Sequence, residues 1–241
     1  MRYTLILLLF SCALWGQKKD TINITDNNGL KQGYWIVFGE NEPKSCHQPK
    51  GKVEEGNYKD NKKEGIWIKY FCDNEIQSKV EFKEGKPNGK AVMFHENGKI
   101  SEMGTWLINR WVGEYTLYFE TGKSQNIFNF NEKGKREGVQ KIYLSNGNLQ
   151  VISYAIDNKD YAGMYFDTLG KVRATFLNGK TINDNDKISD ADKKIIESMK
   201  DIVKKENKVI EQTNEPSKKK GTTKPDIQDV NFNRKEIQKK N

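Results

Sequence analysis

The sequence is poor in the residues that reactive sites most often need. Only two of its 241 residues are histidines and three are cysteines. Neither His47 nor His95 stands in a recognisable nucleophile–base setting, and the glycines form no GxGxxG or P-loop arrangement. The histidines and cysteines also lack the close paired spacing of zinc modules. These absences predict a protein without catalytic residues, metal or cofactor, and they argue against an enzyme.

Apolar residues are scarce as well. They make up 35% of the chain, against 31% charged residues, which is too few for a thick globular core. Aromatic residues reach 11% and bury a large area each, so they can still hold a thin structure together. The composition therefore favours a single sheet or a solenoid over a multilayer enzyme.

The net charge of +8 is unevenly distributed. Residues 187–241 contain 15 Lys and Arg against 10 Asp and Glu, so this segment alone supplies five of the eight charges. The preceding residues mix Lys with Glu throughout. A solvated surface explains this pattern, and no nucleic-acid partner is predicted.

The N-terminus has the pattern of a secretory signal. Arg2 precedes an apolar run over 5–10 that is too short to span a bilayer as a helix. Cleavage after Gly16 predicts a signal peptide over 1–16 and a protein exported to the periplasm, cell surface or medium. The alternative is an outer-membrane-type lipoprotein, since residues 9–12 resemble a lipobox in which Cys12 is acylated. A cytosolic protein with an apolar N-terminus is the third alternative.

Export determines how the remaining cysteines are interpreted. After cleavage only Cys46 and Cys72 remain, in an oxidising compartment. The sequence leaves open whether they form a disulfide or stay as free thiols.

An internal repeat organises most of the chain. One aromatic series has a spacing of 24 residues, with a last step of 22: Tyr58, Phe82, Trp106, Phe130, Tyr154 and Phe176. A second series of glycines runs in phase with it: Gly33, Gly65, Gly89, Gly113, Gly138 and Gly163. An aromatic residue stands five places after each of the first five glycines. The first step of the glycine series is lengthened by an eight-residue insertion that holds Cys46 and His47.

Turn residues separate the apolar stretches. Asn97-Gly98 and Asn146-Gly147 lie between apolar runs, which predicts hairpins with type I′ turns at these positions. Each unit is therefore expected to form a strand, a tight turn and a second strand. The prediction is an all-β fold, an elongated single-layer antiparallel β-meander of about six hairpins over 17–182.

A one-layer sheet leaves both of its faces to solvent, and side chains alternate between them. Trp35, Trp67 and Tyr115 occupy equivalent positions on one face, two residues after their glycines. Most of the aromatic residues are expected to form cross-strand ladders. These three are the candidates for a partner-binding surface.

Two stretches carry a family resemblance most clearly, Gly65–Tyr70 and Phe94–Lys99. The Gly-x-Trp-x-x-Tyr pattern followed by Asn-Gly-Lys resembles the MORN-repeat variant of YwqK-type antitoxin-like proteins. The resemblance covers about residues 29–180. It implies an elongated β-meander with a scaffold or binding role and no catalytic residues, and it raises the alternative of an antitoxin or immunity protein that sequesters a toxin.

The sheet pattern ends near residue 182. Ser189 and Asp192 have the spacing of a helix N-cap, and apolar residues at helical spacing predict an amphipathic helix over 190–211, preceded by a linker. Residues 214–241 are predicted to be a disordered basic tail that could contact an envelope polymer or a membrane surface. The combined prediction is an exported, non-enzymatic scaffold that binds a protein or an envelope component.

Overall fold

The computed structural model describes residues 22–183 and 185–214, with side chains up to residue 207. The predicted signal peptide over 1–16 lies outside these residues, as does the basic tail after residue 214.

Within the described residues the chain forms fourteen β-strands followed by one α-helix. The first seven strands are β1 Ile24–Thr25, β2 Lys31–Phe38, β3 Lys52–Lys59, β4 Lys62–Tyr70, β5 Ile76–Lys83, β6 Lys86–Phe94 and β7 Ile100–Trp106. The remaining elements are β8 Trp111–Tyr118, β9 Ser124–Phe130, β10 Gly138–Tyr143, β11 Leu149–Ile156, β12 Lys159–Phe166, β13 Val172–Leu177, β14 Lys180–Ile182 and α1 Asp190–Asn214.

All fourteen strands belong to one open sheet, and their order in the sheet is their order in the chain. Every neighbouring pair is antiparallel, from β1 with β2 to β13 with β14. The predicted all-β fold with an antiparallel meander and a C-terminal helix is therefore confirmed.

The two sequence series meet across the strands of each hairpin. A series glycine lies opposite a series aromatic residue in five of the six units: Gly33 opposite Tyr58, Gly65 opposite Phe82, Gly89 opposite Trp106, Gly113 opposite Phe130 and Gly163 opposite Phe176. Gly33, Gly65, Gly89 and Gly113 have a positive φ, between 66° and 125°, which L-residues rarely adopt. The glycine spacing therefore follows from the backbone conformation of each hairpin, and the aromatic spacing follows from the strand register.

The fifth unit departs from this register. Its glycine, Gly138, stands 25 residues after Gly113 of the fourth unit instead of 24. Gly138 therefore lies opposite Ala155 rather than opposite Tyr154. Tyr154 pairs instead with Val139 on the other face of the sheet. The assignment of Tyr154 to the common aromatic series is wrong, because a shift of one residue turns a side chain to the opposite face.

The turn types also differ from the prediction. In the Asn97-Gly98 and Asn146-Gly147 turns only the glycine has a positive φ, 77° and 95°, so these are not type I′ turns. They are five-residue loops in which the glycine N–H donates to a carbonyl three residues earlier, as in Gly98 to His95 at 2.9 Å. A bulge between the flanking strands accompanies this loop, as in three- to five-residue hairpin connections built on a type I turn.

Paired positive φ angles occur at the opposite edge of the sheet, between one hairpin and the next. They are found in two-residue turns at Asp60-Asn61, Glu84-Gly85, Ile108-Asn109, Asp157-Asn158 and Asn178-Gly179. Both central residues of a type I′ turn need a positive φ, so the tight turns connect the units rather than close the hairpins. We call the edge with the five-residue loops the long-loop edge.

Helix α1 begins where the N-cap pattern predicts. The Asp192 N–H donates to Ser189 Oγ at 3.2 Å, and the Ser189 hydroxyl donates to Asp192 Oδ2 at 2.6 Å. Its apolar stripe, which includes Ile196 and Met199, packs on β11 and β12. The thickest core of the described residues therefore lies where the helix adds a second layer to the sheet.

The turn at Ile108-Asn109 generates a stability prediction. Ile108 has φ 47° and is 53% exposed, although the left-handed region costs an L-residue about 1–2 kcal/mol and suits Asn better. We expect Ile108→Asn to stabilise the protein by about 1 kcal/mol in denaturant unfolding. The control is Ile156→Asn, which replaces another exposed isoleucine beside a tight turn. An equal gain in both variants would contradict the backbone explanation.

Candidate binding surface

The three residues that the sequence singles out for partner binding lie on one face of the sheet, which we call the aromatic face. Trp67 is only 3% exposed and Tyr115 only 9%. Trp35 is half-buried, and its indole Nε1–H donates to the Gln32 carbonyl at 3.1 Å. The rings of Trp67 and Tyr115 are thus buried in the sheet and are not free to receive a partner.

Close packing over glycine explains the burial of Trp67. A methyl group added at Gly56 would come within 2.6 Å of the Trp67 ring. The Trp67 indole N–H donates to the Asn57 carbonyl at 2.9 Å, and the Lys63 ammonium lies 4.0 Å from the ring centre. The ring therefore has its backbone, polar and cationic contacts within the sheet.

The aromatic face continues as a ladder of ring contacts. Tyr58 lies edge-on to Trp67 at 4.8 Å, and Trp111 lies 4.1 Å from Trp106 and 4.6 Å from Tyr115 between ring centres. Cross-strand aromatic pairs of this kind stabilise a sheet. The ring contacts on the aromatic face therefore stabilise the sheet itself.

The opposite face carries a continuous row of side chains through the middle of the sheet. Each member lies opposite the next in the strand register, from β2 to β14. We call these residues the central row: Ile36, Glu55, Ile68, Lys79, Val92, Met103, Thr116, Ile127, Lys141, Ile152, Met164, Thr175 and Ile182.

Helix α1 covers the C-terminal end of this row. Ile152 and Met164 are 0% and 1% exposed beneath it. Polar contacts fix the helix at both of its ends: Glu206 accepts hydrogen bonds from Lys141 Nζ at 2.5 Å and from the Tyr143 hydroxyl at 3.0 Å, and Asp192 accepts one from the Tyr161 hydroxyl at 2.8 Å. We therefore call this the helix-side face.

No helix of the described residues covers the N-terminal part of the row, from Ile36 to Ile127. Ile36, Ile68 and Met103 are half-buried, whereas Ile152 and Met164 under α1 are buried; Val92 and Thr116 are buried by their own neighbours in the sheet. A shallow cavity of about 250 Å³ opens over β6–β8, with Val92 and Thr116 in its lining. This uncovered stretch, β2–β9 on the helix-side face, is the candidate binding surface.

One buried carboxylate lies within the candidate binding surface. Glu55 is 7% exposed and accepts a hydrogen bond from Lys52 Nζ at 2.7 Å and another from the Tyr70 hydroxyl. Burial alone would raise the pKa of Glu55, but the hydrogen bonds from Lys52 and Tyr70 hold it below its ordinary value. Burial and the Glu55 charge raise the pKa of both Tyr34 and Tyr70. Glu55 is therefore ionised, and the Lys52 ammonium balances its negative charge.

The sequence insertion lies at the long-loop edge. It includes a short 3₁₀ turn at Gly39–Asn41, and Cys46 within it forms a disulfide with Cys72 in the next hairpin loop. Their Cα atoms are 5.7 Å apart, a separation typical of disulfides. The insertion is thus attached to the sheet beside the end of β4.

Residues 87–107 and 136–156 match the family model described as MORN repeat variant. These two units are MORN-variant repeats. Each matched segment falls on one hairpin, β6–β7 or β10–β11. MORN-variant repeats indicate a repeat protein with a binding role, whereas the YwqK-type relationship stays a prediction.

The other comparisons add little to the MORN-variant match. A search of curated proteins finds no significant match. A TarM mutant from S. aureus in complex with fondaparinux, α-GlcNAc-glycerol and UDP is 14% identical, with a TM-score of 0.28 over 40% of this chain and 19% of that one. A GtfA/B complex bound to UDP and GlcNAc is 9% identical, with a TM-score of 0.27 over 47% of this chain and 22% of that one. The chain thus spans about a fifth of the length of these structures.

Among the described residues, no helix is both long and apolar enough to cross a membrane.

The central row was missed at the sequence level, although the MORN-variant spacing contains it. Ile36, Ile68, Val92 and Thr116 each stand three residues after a series glycine. Glu55, Lys79, Met103 and Ile127 each stand three residues before a series aromatic residue. The two sets become one row only when the strand register is known.

The environment of Glu55 generates a pH prediction. Because its pKa is lower in the folded protein, its contribution to stability is complete above pH 4.5 and is lost as the pH falls through the folded-state pKa. We expect Glu55→Gln to lose less stability on acidification than the wild type, as measured by denaturant unfolding at stepped pH. Tyr70→Phe removes one of the hydrogen bonds and should move the loss to higher pH. An unchanged acid limb in both variants would contradict this assignment.

Proposed function

We propose that the chain is an exported, non-enzymatic scaffold that binds an amphipathic helix of a protein partner on its uncovered helix-side face. The observation that carries the proposal is the central row, which α1 covers at one end, whereas Ile36, Ile68 and Met103 stay half-buried at the other end, where no helix of the described residues lies over them. The MORN-variant repeats support a binding role, and the apolar run at the N-terminus supports export.

The way α1 docks supplies the chemistry of the proposed partner. Its apolar stripe covers Ile152 and Met164, while Glu206 reaches Lys141 and Tyr143 at the rim. In the uncovered part, the half-buried Ile36, Ile68 and Met103 lie in the row, and Phe38, Tyr70, Phe94 and Tyr118 lie nearer the long-loop edge. An amphipathic helix with apolar anchors at helical spacing fits such a surface.

A single strand offers the sharpest test of the surface. Ile68 and Lys69 are neighbours in β4, and their side chains lie on opposite faces of the sheet. A photo-crosslinking amino acid would replace one or the other in cells that express the full chain. We expect a discrete protein adduct from position 68 and none from position 69, with the crosslinked partner peptide belonging to an amphipathic helix.

Two outcomes would contradict the proposal: no adduct at position 68, or equal adducts from both positions. An adduct with a polysaccharide or with a partner loop would contradict the proposed helix. A toxin as the crosslinked partner would favour the antitoxin alternative for the identity of the partner.

Export is tested separately. N-terminal sequencing of the mature protein should begin at Gln17, one residue after the predicted cleavage site, and a lipid-modified Cys12 at the N-terminus would indicate the lipoprotein alternative. A mature chain that begins at Met1 would contradict export.

A further inference from the structure

Three potential metal ligands that are separated in the sequence meet at the long-loop edge. The insertion supplies Cys46 and His47, and the β4–β5 loop supplies Cys72. Both sulfurs and a ring nitrogen of His47 lie within 4.8 Å of one another. Sequence spacing does not reveal this cluster, because the insertion folds back over the end of the next hairpin.

The imidazole of His47 is oriented as metal ligands usually are. Its Nε2 lies 3.1 Å from the Tyr70 carbonyl oxygen, which can only accept, so Nε2 carries the proton. This leaves Nδ1 with a free lone pair, and Nδ1 is buried without a hydrogen-bond partner. A histidine that ligates a metal commonly donates its other N–H to a backbone carbonyl in this way.

His95 shows that the carbonyl contact alone does not explain this arrangement. Its Nε2 lies 3.0 Å from the Tyr118 carbonyl, the equivalent contact in a later repeat. No cysteine of the described residues joins the His95 ring in a ligand cluster, and its Nδ1 is not among the buried polar atoms without a partner. The orphaned Nδ1 and the two sulfurs occur together only at His47 within the described chain.

We propose that Cys46, Cys72 and His47 form a redox-gated site for a borderline-soft divalent cation of the Zn²⁺ class. In the disulfide form the sulfurs are bonded to each other and the site is closed. In the dithiol form two thiolates and the His47 Nδ1 provide three ligands of a tetrahedral site, with the fourth position open to water or an external ligand.

The reaction balances with a dithiol as reductant. The reductant passes two electrons and two protons to the disulfide, so the Cys46–Cys72 bond breaks, two thiols form and the reductant leaves as its own disulfide. The cation then displaces the two thiol protons and two sulfur–metal bonds form. Zn–S and Zn–N distances of about 2.3 and 2.1 Å place the ligand atoms of a tetrahedral site about 4 Å or less from one another. A ring nitrogen of His47 already lies within 4.8 Å of both sulfurs, and the two sulfurs move apart once their bond is broken.

Metal binding and disulfide formation therefore compete for the same sulfurs. Either the disulfide or the metal ion joins the insertion to the β4–β5 loop, so the insertion stays attached to the sheet beside Tyr70 in both states. This inference goes beyond the proposed partner binding and does not depend on it.

The test uses the full chain in a Cys12→Ser background, so that Cys46 and Cys72 are the only thiols. Reduced protein would be titrated with Zn²⁺ against a chromophoric chelator, and with Co²⁺ to observe thiolate-to-cobalt charge transfer and the bands of a tetrahedral site. We expect one equivalent to bind to the reduced protein and none to the oxidised protein.

Substitutions identify the ligands. His47→Ala should weaken Zn²⁺ binding by about 10-fold or more and alter the cobalt bands, whereas His95→Ala should leave both unchanged. Cys72→Ser should abolish the charge-transfer band. His47→Gln provides a second variant should the alanine variant fold poorly, as judged by circular dichroism. Equal binding by oxidised and reduced protein, or wild-type affinity and spectra in a folded His47 variant, would overturn the proposal.

Discussion

Over most of its length the fold has only one layer, a single sheet. Side chains must therefore be buried by neighbouring strands of the same sheet. A second layer would normally cover a ring such as Trp67. Here the ring lies across Gly56 in the adjacent strand, so close that even a methyl group at that glycine would overlap it. Rings also pack over Gly104 and Gly163, so at these three glycines a ring lying across the backbone takes the place of a second layer.

This packing divides the two faces between different tasks. On the aromatic face, the rings are covered by one another and by lysines such as Lys63, whose ammonium lies over the Trp67 ring. The helix-side face is less complete, since Ile36, Ile68 and Met103 of its central row stay half-buried, whereas Ile152 and Met164 beneath α1 are buried. A contiguous set of partly exposed apolar side chains can mark an interaction site. The proposed binding on one face would therefore be a consequence of how the other face is stabilised.

The repeat and its β-hairpins could be predicted from the sequence because periodic glycines and aromatic residues are local signals. The assignment of faces and turns could not, because it depends on register. One additional residue before Gly138 moves Tyr154 to the opposite face. Asn97-Gly98 resembles a type I′ turn in sequence, but its five-residue loop gives a positive φ only to the glycine. Trp67 and Tyr115, two of the three aromatic residues predicted as a surface, are buried, since spacing alone does not distinguish a covered ring from a free one.

Specificity in such an array must come from residues that break the pattern. Most of the central row is apolar or small, which would let any apolar stripe slide along it. Glu55 and Lys79 interrupt the row on either side of Ile68. Glu55 is already neutralised by Lys52 and Tyr70, whereas no salt bridge of the described residues holds Lys79. A helix placed across Ile68 would therefore gain by offering an acidic side chain at Lys79, and one with a basic side chain there would be rejected. In the proposed complex, the charge at Lys79 would set a register that the repeat itself does not provide.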